Sequence, residues 1–153
     1  MYSLYFDGLY RGNIKHGDNT LTSLSIMCYG WVICEDGKVI ARGHGIYTHH
    51  DAATSNGAEY LALIEGLDAL QDLRGGNIPI TVYGDARTVI EQLQGLSQVT
   101  SPRIVHLYQK ARKLSKRLGH LHWQWIPRNE NRAADQLTRH ALRILENRNY
   151  QIT

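Results

Sequence analysis

Glu59 is a carboxylate in a position where a solvated acid is not expected. It begins a run of apolar residues at helical spacing, and the residues at i+4, i+8 and i+11 on the same helix face are Leu63, Leu67 and Leu70. An unpaired charge is costly to bury, so a carboxylate in line with an apolar stripe needs a cation or a polar partner. The spacing therefore predicts a functional role for Glu59.

Three further acids stand beside predicted strands and helices. Asp7 and Asp85 each follow a short apolar run of strand-like composition, and Asp135 lies near the start of the last predicted helix. Functional groups gather at the carboxyl ends of strands in open α/β sheets. Taken singly, each of two acids has an alternative to a functional role. Asp85 could cap the following helix, and Asp135 could interact with the positive end of the helix dipole.

Together these four acids predict a site for hard divalent cations. A set of oxygen donors without histidine or cysteine suits Mg²⁺ or Mn²⁺. Two such ions, about 3.5–4 Å apart, are the arrangement that stabilises the attacking and leaving oxygens in phosphodiester cleavage. Metal-dependent hydrolysis of a nucleic acid is the chemistry that this set of residues favours.

The elements that must position the acids follow the order βββαβααβα, which predicts one α/β domain over residues 1–153. Its five-stranded mixed sheet has three antiparallel strands first and is flanked by helices. A loop is predicted from Gly8 to about Thr22 and a polar tail from about residue 148. The predicted strands cover 2–6, 24–35, 39–48, 78–83 and 121–126, and the predicted helices cover 56–73, 86–94, 102–119 and 131–147.

Composition narrows the class of protein. The chain has 153 residues, a formal net charge of +3 and two cysteines, Cys28 and Cys34, whose even separation places both on one strand face. They are expected to be buried thiols rather than a disulfide or zinc site, which favours a reducing, cytoplasmic location. The sequence shows no signal peptide or membrane span. The positive charge weakly favours a polyanionic partner, and a monomer is expected.

Five short motifs in chain order resemble type 1 ribonuclease H, and they extend over nearly the whole chain. They are Asp7-Gly8 with Gly12-Asn13, then Gly30-Trp31, Thr54-Ser55-Asn56-Gly57-Ala58-Glu59, Tyr83-Gly84-Asp85, and Ile126-Pro127-Arg128-Asn129-Glu130-Asn131-Arg132-Ala133-Ala134-Asp135. The resemblance implies an endoribonuclease that cuts the RNA strand of RNA–DNA hybrids. It also implies that Asp7, Glu59, Asp85 and Asp135 bind two Mg²⁺, with Mn²⁺ as an alternative, and that the products carry 5′-phosphate and 3′-hydroxyl ends.

The resemblance also implies a set of substrate contacts. Their ordinary alternatives are turn and cap chemistry, because Asn13 lies in the predicted loop and Thr54 or Ser55 can cap the following helix. Short polar side chains can sense the 2′-hydroxyls of RNA in a shallow minor groove. Double-stranded RNA stays open as a second partner. The residues expected to contact substrate are Gly8, Asn13, Thr54, Asn56, Arg128 and Asn131.

The sequence departs from the family pattern in three places. Many members carry a histidine in the loop before the last acid, but here the loop has Arg128, which cannot transfer protons at neutral pH. Asp85 is followed by Ala86 where a small hydroxyl residue is common. The 37 residues between Asp85 and Trp123 are also too few for the extra basic helix of some bacterial members. A basic face on the 102–119 helix is a candidate substitute, and it carries Arg103, Lys110, Lys113 and Arg117.

Three alternatives remain at this stage. A junction resolvase or transposase-like nuclease would share the acid pattern, although the contexts of Asn13 and Thr54 favour the hybrid-cutting branch. A binding module without catalysis would have no need of four costly acids. An α/β interaction domain with accidental acids is the third.

Overall fold

The computed structural model describes residues 1–16, 19–73, 78–148 and 150–151, and it describes the side chains of these residues except for 13–24 and 150–151. Within them, one mixed sheet is covered by helices on both faces, and a 3-10 turn covers Arg128–Glu130. The strands are β1 (Tyr2–His16), β2 (Asn19–Glu35), β3 (Lys38–Thr48), β4 (Ile80–Gly84), β5 (Leu121–Trp125) and β6 (Tyr150–Gln151), and the helices are α1 (Ser55–Leu73), α2 (Arg87–Gln94), α3 (Pro102–Leu118) and α4 (Arg132–Glu146).

The order of the strands confirms the predicted fold class. The sheet runs β3-β2-β1-β4-β5, with β1, β2 and β3 antiparallel and with β4 and β5 parallel to β1. The two-residue β6 adds to the end of β1. The chain thus leaves β1 toward one side of the sheet and returns on the other side with β4. Ligand-binding crevices form at such reversals of strand order.

The first hairpin is longer than the sequence predicts. The expectation of a loop from Gly8 to about Thr22 is wrong, because β1 continues to His16 and β2 begins at Asn19. Beyond the apolar run, β1 still pairs with β2, for example Tyr10 with Met27. Polar residues and glycines in this stretch are compatible with a strand, since a sheet face that meets water tolerates them. Asp7 therefore lies within β1 rather than at its end.

Helix α1 covers one face of the sheet and α4 covers the other. Leu63, Leu67 and Leu70 are fully buried, as the helical spacing predicts. Helix α3 packs against α1, and a second small core under α4 contains Ala141 and Leu145. The predicted end of the first helix at 74–77 lies outside the described residues. Among the described helices, none is long and apolar enough to cross a membrane.

Candidate active site

Three acids from separate elements meet beside the carboxyl end of β4. Asp7 follows Phe6, the last residue of β1 that pairs with β4, and Asp85 follows Gly84, the partner of Phe6. Glu59 comes from the second turn of α1. An oxygen from each of the three carboxylates lies within 4.8 Å of the other two. The sequence thus predicted the identity of residues that the fold brings to one point.

Asp135 lies at the edge of this cluster, in the first turn of α4. Its negative charge acts on both Asp7 and Asp85. The side chain is 24% exposed and forms ion pairs with Arg139 at 3.1 Å and with Arg128 at 3.7 Å. The structure therefore gathers Asp7, Glu59 and Asp85 into a compact set and places the fourth acid next to it.

The negative charges of these neighbouring carboxylates repel one another. Burial, and then the charges of Asp85 and Asp135, raise the pKa of Asp7 from its ordinary 3.8 to about 8. Burial, and then the charges of Asp7 and Asp85, raise the pKa of Glu59 well above its ordinary value. Burial raises the pKa of Asp85 as well, although a hydrogen bond with Asn131 and the charge of Arg128 oppose that shift.

A divalent cation fits this set of residues. Asp7 and Glu59 are only 7% and 8% exposed, and Glu59 Oε2 is a buried oxygen without a hydrogen-bond partner among the described residues. Buried polar atoms are seldom left unpaired in folded proteins, so an orphaned carboxylate oxygen indicates a missing ligand. Carboxylate oxygens are the donors that hard cations such as Mg²⁺ prefer.

The side chain of Asn131 is buried and does not face the solvent, where a substrate would bind. The family resemblance predicts that Asn131 contacts substrate, but its side chain is 1% exposed, and its Nδ2 donates to the carbonyl of Phe6 at 2.8 Å. It also hydrogen-bonds the carboxylate of Asp85. A side chain buried between β1 and Asp85 holds the strand and the acid together, and it does not face a nucleic-acid duplex. The structure thus places the Asn131 side chain inside the protein, against β1.

Gly8 and Thr54 form hydrogen bonds with the N-terminal part of α1. The backbone N–H of Gly8 donates to the Glu59 carboxylate, and Thr54 Oγ1 caps α1 by accepting from the N–H of Gly57 at 2.9 Å. The capping alternative is therefore present for Thr54, and contact with substrate stays a prediction. Asn56 and Arg128 are exposed near the acids. The side chain of Asn13 lies outside the described residues.

The basic face of α3 is exposed, as the helical spacing predicts. Ile104, Leu107 and Leu114 face inward, so the cationic side chains are left on the solvent side of the helix. Exposed basic side chains in a row can bind the phosphates of a duplex. The exposed members of this surface are Arg103, His106, Lys110, Lys113 and Arg117.

Three contacts beside the acids were not predicted from the sequence. Trp125 Nε1 donates to the carbonyl of Asp85 at 3.1 Å, and the guanidinium of Arg87 lies 4.0 Å from the centre of the Trp125 ring. Thr138 Oγ1 donates to Asp7 Oδ2 at 3.2 Å. The spacing of Thr138 three residues after Asp135 would have indicated a shared helix face. No local signal marks Trp125, because its contact depends on how β5 lies beside β4.

Comparisons with known proteins agree with the fold. A family model described as reverse transcriptase-like matches residues 20–141. The chain is 37% identical over 90 residues to a bifunctional protein of Mycobacterium tuberculosis, and the match covers 59% of this chain and 24% of that protein. It is 33% identical over 139 residues to the ribonuclease HI of Halobacterium salinarum, covering 90% of this chain and 62% of that protein. The chain therefore spans less than two thirds of the length of either relative.

Two solved structures extend the likeness over nearly the whole chain. The Halobacterium salinarum type 1 ribonuclease H superposes with a TM-score of 0.79 and 32% identity, covering 94% of this chain and 98% of that one. A type 1 ribonuclease H isolated from compost, solved in complex with an RNA/DNA hybrid, gives a TM-score of 0.81 and 25% identity over 95% and 99% of the two chains. The chain therefore belongs to the reverse transcriptase-like family, among its ribonuclease HI-like members.

Proposed function

We propose that the chain is an endoribonuclease that hydrolyses the RNA strand of RNA–DNA hybrids, using divalent cations held by Asp7, Glu59, Asp85 and Asp135. One observation carries the proposal: three carboxylates from β1, α1 and the end of β4 have oxygens within 4.8 Å of one another. Such a cluster is costly without a cation, and its donors suit Mg²⁺ or Mn²⁺. Family membership supplies the reaction class.

Two divalent ions in this site would supply an activated water and charge stabilisation for the departing oxygen. The chain itself fixes the acids before substrate arrives, because Asn131 ties Asp85 to β1 and Gly8 hydrogen-bonds Glu59. Prearranged groups need little reorganisation during the reaction. In the hydrolysis, the water oxygen bonds to phosphorus, the P–O3′ bond breaks and the 3′ oxygen takes a proton. The products carry 5′-phosphate and 3′-hydroxyl ends.

Support for a hybrid substrate comes from the surface around the acids. Thr54 and Asn56 lie at the start of α1, and short polar side chains of this kind can reach 2′-hydroxyls in the minor groove. Arg128 is exposed beside Asp135 as a fixed cation for a phosphate. The basic face of α3 adds contacts to the duplex backbone. One of the solved relatives was determined in complex with an RNA/DNA hybrid.

Incubation of the protein with an end-labelled hybrid tests the proposal. Parallel reactions contain Mg²⁺, Mn²⁺ or chelator, with double-stranded RNA and double-stranded DNA as alternative substrates. The Asp85→Asn variant removes one charge of the cluster, and the matched control Asp68→Asn removes an exposed charge on α1. Metal-dependent cutting of the RNA strand that is lost only in Asp85→Asn is the expected result.

Other outcomes separate the alternative readings. Cutting of DNA duplexes in place of hybrids would assign the same acids to another nuclease of this fold. Tight binding of hybrid without cleavage in either metal would overturn the nuclease proposal and leave a hybrid-binding protein. Equal activity of Asp85→Asn and the wild type would show that Asp85 does not take part in the reaction.

A further inference from the structure

We infer that Thr138 is a positioning residue that holds the Asp7 carboxylate in place for the metal site, an inference that rests on the proposed function. Thr138 is fully buried on α4, and its Oγ1 lies 3.2 Å from Asp7 Oδ2. The same oxygen lies 2.6 Å from the backbone carbonyl of Asp135. One hydroxyl therefore joins the Asp7 carboxylate on β1 to the backbone of α4.

The packing of α4 on the sheet explains why Thr138 reaches Asp7. Gly30 on β2 is the register partner of Asp7 on β1. A Cβ at Gly30 would lie 2.6 Å from the carbonyl oxygen of Ala134 and 2.9 Å from the backbone nitrogen of Thr138. The backbone of α4 thus rests directly on β2 at Gly30, which brings the Thr138 side chain over the neighbouring strand and onto Asp7.

The presence of a threonine at position 138 indicates that its hydroxyl group has a role. A β-branched residue is a weak helix former, and a buried hydroxyl is costly unless it is hydrogen-bonded. The hydroxyl has a single proton, for which the carbonyl of Asp135 and the carboxylate of Asp7 compete. A bound cation keeps the Asp7 carboxylate ionised, and an ionised carboxylate is the stronger acceptor. The contact therefore fixes Oδ2 of Asp7 and leaves its other oxygen for a cation.

Three variants and two measurements test this role. Thr138→Val removes the hydroxyl but keeps the branched shape, and Thr138→Ser keeps the hydroxyl. Thr81→Val, at a buried threonine on β4, controls for the loss of a buried threonine hydroxyl elsewhere in the protein. The first measurement is the affinity of the intact protein for Mn²⁺ alone, by calorimetric titration, with circular dichroism to confirm folding.

We expect Thr138→Val to weaken Mn²⁺ binding about tenfold, since groups that orient a metal ligand typically contribute at least that much. Thr138→Ser should restore most of the affinity, and Thr81→Val should leave it unchanged. A folded Thr138→Val protein that binds Mn²⁺ as tightly as the wild type would overturn the inference. A merely structural role would lower stability in Thr138→Val and Thr81→Val alike without a selective loss of affinity.

The second measurement needs no metal. A double-mutant cycle combines Thr138→Val with Asp7→Asn and compares the unfolding of the four proteins in chelator. Effects that fail to add show that the hydroxyl and the carboxylate interact, and additive effects would overturn the inference. If the wild type bound no Mn²⁺, the metal site of the proposed function would fail, and this cycle alone would decide whether Thr138 acts on Asp7.

Discussion

Gly8 and Ala58 are in such close contact that a Cβ at position 8 would lie 2.3 Å from both the carbonyl carbon and the carbonyl oxygen of Ala58. The backbone of β1 thus touches the backbone of α1 one residue before Glu59. The N–H of Gly8 donates to the Glu59 carboxylate at the same point. This contact holds the acid of the helix beside the acid of the strand, Asp7.

Gly8→Ala should therefore disturb both folding and the site. We expect the free energy of unfolding to fall by about 1–3 kcal/mol, because the added methyl must push α1 away from β1. Cleavage of the hybrid should fall as well, since Glu59 moves with the helix. The control is Gly12→Ala on the same strand, where the nearest atom to an added Cβ is the hydroxyl of the Tyr10 side chain at 2.9 Å. Equal stability of the two variants, measured by urea denaturation, would contradict the prediction.

The stability of the metal-free protein should fall as the pH rises. A carboxyl whose pKa is higher in the folded state binds more protons there than in the unfolded chain, so the free energy of unfolding decreases as pH rises between the two values. For Asp7 this interval extends from 3.8 to about 8, and Glu59 and Asp85 shift in the same direction. Thermal unfolding in chelator from pH 4 to 8 measures the effect.

Mg²⁺ should reverse that loss, because a ligand that binds only the folded state stabilises it. Glu59→Gln is nearly isosteric and removes one buried charge, so we expect a smaller fall of stability with pH in chelator. Asp68→Asn, an exposed change on α1, should leave the slope as in the wild type. A wild-type profile that is flat or that rises from pH 4 to 8 would contradict the electrostatic description of the site.

The acids were recognisable from the sequence because their signals are local. Glu59 stands at the head of a leucine stripe, and Asp85 directly follows an apolar strand. The helical period and the strand ends depend on residues within a few positions of each acid. Their grouping into one site followed from their positions at predicted strand ends and helix starts and agreed with the family resemblance, and their binding of metal stays a prediction.

The contacts that surround the acids were not recognisable in the same way. The family resemblance implies that Asn131 contacts substrate, whereas the packing of α4 buries its side chain against Phe6. The glycines and polar residues of β1 predict a loop where the structure has a long hairpin, because such residues are also typical of turns. Both errors have one cause. The burial of a side chain and the pairing of a strand depend on segments that are distant in the sequence, so the local composition does not predict them.

The basic surface of α3 should contribute affinity without sequence preference. Replacing Lys110 and Lys113 together with glutamine should weaken hybrid binding and lower the slope of log affinity against log salt by about one to two, since each phosphate contact releases counterions. Lys38→Gln, at the exposed start of β3, is the control for a change of charge away from this face. Binding measured with Asp85→Asn, from 50 to 200 mM salt, keeps the substrate intact. An unchanged slope would show that α3 does not contact the phosphates of the hybrid.

Trp125 should affect turnover through Asp85. Trp125→Phe keeps an aromatic ring beneath the Arg87 guanidinium but removes the Nε1 donor to the Asp85 carbonyl. The loss of one such hydrogen bond costs about 1 kcal/mol, which corresponds to roughly a fivefold decrease in kcat if the freed loop misplaces the Asp85 carboxylate. Because the ring stays in place, KM for the hybrid should change little. Arg87→Gln is the complementary variant, which keeps the donor and removes the cation above the ring. A fall of kcat in Trp125→Phe that Arg87→Gln does not reproduce would assign the effect to the hydrogen bond, and a fall in both would assign it to the stacked cation.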